Sequence, residues 1–285
     1  MIGLVDGDLI RYKAGWASQQ QLWRICIKGE SEDDWLASFT YAKEADEWIR
    51  GQEDLYKVKS YNIKPLSYAK IVVDSIVKSI GSTIKAKELR IYLSPSTNFR
   101  NDIATILPYK GNRSQEKPHW HEEIKQHLID RWGAVVVEGI ETDDMLGIEQ
   151  YRYRFPYATS SDALMEYERR PPTIICSYDK DLDMIEGWHY NFDTNKKYFI
   201  NSVEAWRNYY KQCLKGDSSD NIPGMYAILR IKCLSKYLDA IDSMYSMYEM
   251  DNYVKSVYTG HEKELEEIKK LLWILRTDGN KNPTL

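Results

Sequence analysis

The stretch Ile2-Gly3-Leu4-Val5-Asp6-Gly7-Asp8 decides the fold. A short apolar run breaks off at two carboxylates, as a buried strand does when it delivers acidic side chains at its C-terminal end. The pattern returns along the chain, as GIETDD at residues 139–144, SYDKD at 177–181 and KGDSSDN at 215–221. Apolar runs at residues 134–137 and 173–176 precede two of these blocks, and a further run at 89–93 is broken by Ser94-Pro95-Ser96. Between the runs, the spacing of apolar residues predicts helices over 66–80, stopped by Gly81, and over 121–132, ending at Gly133. Strands alternating with helices make this an α/β protein with a mainly parallel central sheet flanked by helices, whose sites lie at the carboxyl ends of the strands. Residues 188–192 and 197–200, around Asp193-Thr194-Asn195, predict a hairpin. Residues 202–273 read as mostly helical. The expected division is an α/β part over 1–214, with an insertion at about 15–64, and a helical part over 215–285.

Composition sets the class. The chain has 285 residues, 29% charged and 43% hydrophobic, enough for a sizeable core and unlike a disordered segment. The formal net charge of -4 argues against a generic basic nucleic-acid binder, although an acidic metal site masks basic patches in such a sum. The 22 tyrosines are expected to be half-buried packing, with room for a few stacking platforms. Cys26, Cys176, Cys213 and Cys233 are widely spaced, which suggests neither zinc nor a disulfide framework. The N-terminus reaches Asp6 at once and no apolar run approaches a membrane span, so a soluble, cytoplasmic protein is expected.

The chemistry lies in the acidic blocks. Like charges gathered within a few ångströms repel, so Asp6, Glu141, Asp143, Asp144, Asp179, Asp181, Asp217 and Asp220 must take up protons or cations if they converge. Hard divalent cations such as Mg²⁺ are their natural occupant, and a pair of ions can clamp the attacking and leaving oxygens of a phosphodiester. Asp179 and Asp181, two apart in an extended strand end, would share a face. Asp143 and Asp144 stand at a predicted helix start with Thr142 as N-cap. Each block alone has a plainer reading, Asp143 answering a helix dipole and Asp217 capping a helix. Lys110 and Arg113, in PYKGNR, supply cationic help for a reacting phosphate, or form a solvated basic loop.

These motifs together resemble the phage and bacterial 5′-nucleases, the flap endonuclease and 5′→3′ exonuclease group. The matching residues are VDGD at 5–8, NFR at 98–100, PYKGNR at 108–113, ETDD at 141–144, SYDKDLD at 177–183 and KGDSSDNIPG at 215–224, in the family's order. The resemblance implies a PIN/5′-nuclease-like sheet and a helix–turn–helix, helix–hairpin–helix-like duplex-binding element after Asp217. It implies two Mg²⁺ or Mn²⁺ ions, held directly or through water by the eight carboxylates. Lys110 and Arg113 would act on the scissile phosphate from the first turn of a gateway helix. Tyr109 would stack on a terminal base, and Asn221, Gly224, Arg230, Lys232 and Lys236 would contact DNA. The expected substrate is DNA with 5′ ends or flaps, or an RNA–DNA hybrid, cut to leave 5′-phosphates in phage replication, primer removal or recombination. The short stretch 114–120 leans towards a short-arch exonuclease. A monomer is expected, with replication proteins as candidate partners of the insertion.

The sequence departs from the family at two places. Pro95 stands where an Asp is usual after the second core strand, so water or another carboxylate, such as Asp102, would fill in; Asp8 is available as a ligand or as a hydrogen-bonding group. Ala227 and Leu229 stand where glycines wrap a monovalent cation (K⁺), and their Cβ atoms oppose that backbone approach. Two other readings stay open: a catalytically impaired nucleic-acid-binding relative, and a PIN-like ribonuclease.

Overall fold

The computed structural model describes residues 1–113, 116–154, 161–232 and 234–279. The chain forms two compact units, one of Met1–Leu9, Val77–Glu116 and Leu128–Leu285, the other of Ile10–Ile76 and Lys117–His127. The strands are β1 (Ile2–Asp6), β2 (Gln19–Ile27), β3 (Ala37–Phe39), β4 (Leu55–Ile63), β5 (Glu88–Leu93), β6 (Val135–Val136), β7 (Thr173–Cys176), β8 (Gly187–Asn191) and β9 (Lys196–Ile200). The helices in the first half are α1 (Gly7–Ala17), α2 (Ala42–Trp48), α3 (Leu66–Ile84), α4 (Arg100–Ile103) and α5 (His121–Trp132). Those that follow are α6 (Thr142–Arg154), α7 (Ser161–Arg169), α8 (Ser202–Lys215), α9 (Met225–Leu229), α10 (Leu234–Asp242), α11 (Met247–Val257) and α12 (Glu262–Leu272).

The first unit is built on a six-stranded sheet in the order β6-β5-β1-β7-β8-β9. All neighbours pair in parallel except β8 and β9, which form the expected hairpin, with Asn195 at a φ of 56° in its turn. The sheet is therefore mostly parallel and flanked by helices. Its central strands are apolar runs because both faces are covered. Leu4 and Ile175 are buried in one cluster with Leu146 of α6, Leu182 and Ile274.

The helical part after residue 215 shares this unit. Tyr209, Tyr210, Cys213 and Leu214 of α8 lie in one apolar cluster with Ile241, Met250, Val254, Tyr258, Ile268 and Leu271. The same cluster takes in Ile148 of α6 and Met184, so helices on both sides of residue 215 are packed together within this unit. A capping box starts α8: Asn201 Oδ1 accepts from Glu204 N–H at 2.9 Å, and Glu204 returns the bond to Asn201 N–H at 3.0 Å.

The second unit holds an antiparallel sheet in the order β3-β2-β4. In the sequence, residues 22–27 alternate towards a strand and 41–49 read as helical, which match β2 and α2. Strand β4 is not legible there, because Leu55 to Ile63 mixes polar and apolar side chains on both faces.

Three local expectations are corrected. Helix α3 runs through Gly81 and stops at Lys85, whose φ of 52° ends it in the left-handed region. Thr142 is the first residue of α6 rather than its cap, and its hydroxyl donates to Asp8 Oδ2 at 2.9 Å. Asp179 and Asp181 do not share an extended strand end, because β7 stops at Cys176 and Asp181 begins a 3-10 turn ending at Met184.

Candidate active site

Strands β5, β1 and β7 run side by side, so Asp6 and residues 177–181 emerge at the same edge. A Cβ on Gly7 would stand 2.5 Å from the Tyr92 carbonyl oxygen, so the chain can turn out of β1 here only without a side chain. Asp6 is 4% exposed and accepts from the Leu9 N–H at 3.1 Å and the Ser177 hydroxyl at 3.0 Å. The same Ser177 oxygen accepts from Asp179 N–H, and Asp179 Oδ1 accepts from Asp181 N–H at 2.9 Å. One short ladder of bonds thus fixes the carboxylates of Asp6 and Asp179 and the backbone of Asp181.

These acids resist ionisation. Burial, then Asp8 and Asp179, push the Asp6 carboxyl up to about 7. Burial, then Asp179 and Asp217, push Asp181 up to about 7, against the Gln212 amide, which donates to it at 2.9 Å. Asp143 is raised well above the usual carboxylate range by desolvation, then by Asp6 and Asp179. Asp179 is raised by burial, with Asp220 and Asp217 adding repulsion. Such a cluster holds more negative charge than its surroundings neutralise.

Asp144 differs from its neighbour Asp143. It is fully buried and forks onto Arg100, with Nη1–Oδ2 at 2.7 Å and Nη2–Oδ1 at 2.8 Å. Glu141 N–H donates to Oδ2 and Leu275 N–H to Oδ1, each at 3.0 Å. All four acceptor positions of the carboxylate are occupied. Arg100 also donates to the carbonyls of Leu271 and Trp273, joining α6 to the C-terminal segment. Arg100 lies in the NFR motif, but no local signal gives it this partner.

Lys110 and Arg113 lie where their charge meets the acids, in turns rather than on a gateway helix. The Lys110 backbone takes a φ of 56°, and its N–H donates to the Asp220 carbonyl at 2.8 Å. Its ammonium pairs with Glu141 and stands 3.7 Å from Asp220 Oδ2, while Arg113 pairs with Asp220 Oδ1. Tyr109 is 7% exposed, its hydroxyl 2.8 Å from Glu141 Oε2 and 2.6 Å from Asp220 Oδ2. Burial and Glu141 raise that phenol far above its ordinary range. A ring buried in this way does not stack on a base, which corrects the expectation for Tyr109.

At the end of β5, Ser94 N–H donates to Asp8 Oδ2 at 2.9 Å, and Ser94 Oγ is 3.0 Å from Thr142 Oγ1. Asp8 therefore serves as a hydrogen-bond acceptor tying β5 to α6. Asp102 lies exposed on α4 rather than among the buried acids.

The KGDSSDNIPG segment is a closed loop. Asp217 and Ile222 exchange backbone bonds at 2.9 and 2.7 Å, and Asp217 Oδ1 accepts from Ser219 N–H at 2.7 Å. Asn221, at a φ of 60°, donates through Nδ2 to the Pro108 carbonyl at 2.9 Å. A Cβ on Gly224 would stand 2.2 Å from the Lys215 carbonyl oxygen, so that glycine serves close backbone packing. Arg230 ends α9 at a φ of 59° and is exposed, as are Lys232 and Lys236. Only Lys236 of the three is helical, on α10.

Asp143, Asp179, Asp181, Asp217 and Asp220 line a cleft of about 680 Å³ together with Lys110, Arg113, Lys180, Lys211 and Lys215. Among the described residues, no three His, Cys, Asp or Glu side chains are gathered as a ready metal cage. Glu141 and Asp220 are held by Lys110 and Arg113, and Asp144 by Arg100. The donor set nonetheless suits a hard cation: it is all oxygen, and Asp6, Asp143, Asp179 and Asp181 are raised by burial and by the repulsion of neighbouring acids, which a cation would relieve.

The fold and site define a parallel α/β protein with a desolvated acidic cluster at the carboxyl edge of its sheet. No protein-family model matches the sequence, and no curated protein matches it. Among solved structures the chain is similar to the bacteriophage T5 D15 protein co-crystallised with metal ions, at 16% identity over 71% of this chain and 91% of that one, with a TM-score of 0.41. It is also similar to the T5 D15 flap endonuclease in a pseudo-enzyme–product complex with DNA and metal ions, at 15% identity over 71% and 89%, TM-score 0.41. A T5 5′-exonuclease mutant matches at 14% identity over 72% and 93%, TM-score 0.41.

Proposed function

We propose that this protein is a divalent-metal-dependent 5′-nuclease, hydrolysing phosphodiesters near the 5′ ends of DNA or of RNA–DNA hybrids and leaving 5′-phosphates. The observation that carries the reading is the cluster of Asp6, Asp143, Asp179 and Asp181. All four carboxyls are raised by burial and by repulsion from neighbouring acids, and Asp143, Asp179 and Asp181 line a cleft with Lys110 and Arg113. Stability alone does not favour such a group, whereas cations do. Asp6, Asp143, Asp179 and Asp181 would hold two Mg²⁺ or Mn²⁺ ions, with Glu141, Asp217 and Asp220 completing the set. Asp144, with every acceptor position filled by protein, would position Glu141 rather than bind an ion. When bound, the ions supply an acidified water and neutralise charge at the phosphate.

The chain's own part is positioning. Lys110 and Arg113, now paired with Glu141 and Asp220, would turn their charge to the phosphodiester as the acids take up cations. Arg230, Lys232 and Lys236 would grip duplex phosphates, with Asn221 and Gly224 shaping the loop before them, so binding weakens with salt. The expected place of action is the cytoplasm, in replication, primer removal or recombination, as a monomer. The lean to exonuclease rests on the short stretch 114–120, of which residues 114 and 115 lie outside the described residues; so does Cys233, in the link to α10.

The test is cleavage of 5′- and 3′-end-labelled duplex and 5′-flap DNA, with Mg²⁺ and with EDTA. Mg²⁺-dependent release from the 5′ end is expected, and product length separates exonuclease from flap cutting. Binding without cleavage under Mg²⁺ and Mn²⁺ would instead make this a DNA-holding relative, a reading that Ser94 and Pro95 at the end of β5 favour.

A further inference from the structure

A second cavity, of about 310 Å³, opens within the first unit and shares no lining residue with the acidic cleft. Its volume is at the lower end of the range that holds a small organic ligand. Helix α8 serves both hollows: Asn208 and Gln212 line the cleft, whereas Ser202 and Trp206 line the cavity. Arg154, Glu186, Trp273 and Arg276 also form its wall.

Arg276 is half-buried and stands over two rings, its Cζ 3.9 Å from the Trp273 centroid and 5.1 Å from that of Trp206. Those rings stack on each other at 5.7 Å and hold the planar guanidinium in place. Its Nη1 donates to the Ile274 carbonyl at 3.2 Å and its Nη2 to the Met184 carbonyl at 2.7 Å. These bonds leave N–H groups over and set no negative charge beside it. Among the described residues no carboxylate pairs with Arg276, and the acid that attracts it, Glu186, is held by Arg154 at 3.0 Å. Burial accordingly lowers the guanidinium to about 10, against the pull of Glu186. Trp273 adds a second unmet donor: its Nε1–H is buried without a hydrogen-bond partner among the described residues.

We propose that this cavity binds a small phosphomonoester, its phosphate against Arg276 and its organic part in the remaining space. The lining sets two guanidiniums against one carboxylate, so an anion is the charge it lacks. A guanidinium held flat takes an oxyanion through paired N–H bonds. The donors of Arg276, Trp273 and the Ser202 hydroxyl suit three phosphate oxygens better than the two of a carboxylate. Bare phosphate would leave most of the volume to water, which favours an ester with an organic body. Two sources share that chemistry, a sugar phosphate and a nucleoside monophosphate, and the titration below separates them. The inference goes beyond the nuclease reading and does not need it, because binding here is measured without metal.

The test is isothermal titration of the full chain in EDTA with thymidine 5′-monophosphate, ribose 5-phosphate, inorganic phosphate and thymidine. An ester is expected to bind while thymidine gives no heat, and the tighter of the two esters identifies the organic part. Glu186→Gln removes the carboxylate of the wall and is expected to tighten ester binding about tenfold, a gain that misfolding cannot give. Arg276→Lys keeps a charge but loses the fork, and is expected to weaken binding at least about tenfold. Ser202→Ala, at the exposed start of α8, is expected to weaken it by a smaller factor. Circular dichroism and a melting curve confirm that each variant folds. No ester heat up to about 10 mM overturns the proposal. So does an affinity unchanged in both Glu186→Gln and Arg276→Lys, which would put the phosphate elsewhere. Inorganic phosphate binding as tightly as both esters overturns the organic ligand. Esters bound as expected, with end-labelled DNA left uncut under Mg²⁺ and Mn²⁺, would refute the nuclease reading alone.

Discussion

Arg100 and Asp144 form a buried fork, 3% and 0% exposed, with two parallel N–H···O bonds of 2.7 and 2.8 Å. Removing either partner leaves an uncompensated charge in the core, which costs about 3–5 kcal/mol. Arg100→Ala and Asp144→Ala are therefore each expected to destabilise strongly in urea unfolding. The double variant should lose less than the two separate losses added, since each single change already removes the shared pair.

Asp179→Ala acts the other way. Its carboxyl is held against burial and the repulsion of Asp220 and Asp217, so its loss relieves the folded protein. Folding should be intact and the melting temperature at pH 8 at least that of the parent, while cleavage is abolished. A variant that melts far below the parent would make Asp179 a structural group.

How much of this was legible in the sequence depends on range. Carboxylates after apolar runs are a local pattern, so the sheet edge and its acids could be read directly. Adjacent acids could not be told apart: Asp143 and Asp144 look alike as letters, yet about 100° of helix rotation separates their faces. Asp143 lines the cleft and Asp144 meets Arg100, 44 residues away. Tyr109 sat in a basic loop and read as a surface ring, because it is buried in a cluster with Ile222, Leu271 and Leu272, more than a hundred residues later. Likewise β4 needed β2 to be seen as a strand. The left-handed backbone of Lys110 has no signature at all in a residue that is not glycine.

Without metal, stability should depend on pH in a defined direction. Asp6 and Asp181 titrate at about 7 in the folded chain but near 3.9 when unfolded. The folded state then holds protons that the unfolded state has lost, so their contribution falls as pH rises from about 4 to about 7. His121 and His189, both lowered to about 4 chiefly by burial, pull the opposite way up to about 6.5. Comparing the parent with Asp181→Asn isolates the acids: the parent's deficit should widen with pH across that window. Added Mg²⁺ should raise the parent's melting temperature more at pH 8 than at pH 5, and an equal rise at both would argue against cation binding by these carboxyls.

Lys110 joins backbone strain to chemistry. A non-glycine residue at a φ of 56° costs roughly 1 kcal/mol, and here the backbone bond to Asp220 and the ammonium pair with Glu141 hold it. Lys110→Gly removes the strain and the charge together, whereas Lys110→Ala keeps the strain and removes the charge. Both should lower single-turnover cleavage about 10²–10³-fold, as loss of one preorganised cation at a developing charge does, with a smaller change in DNA affinity. Only Lys110→Gly should regain stability relative to Lys110→Ala, read as a higher urea midpoint. If both variants cleave at the parent rate, the ammonium does not reach the phosphate, and its pairing with Glu141 is purely structural.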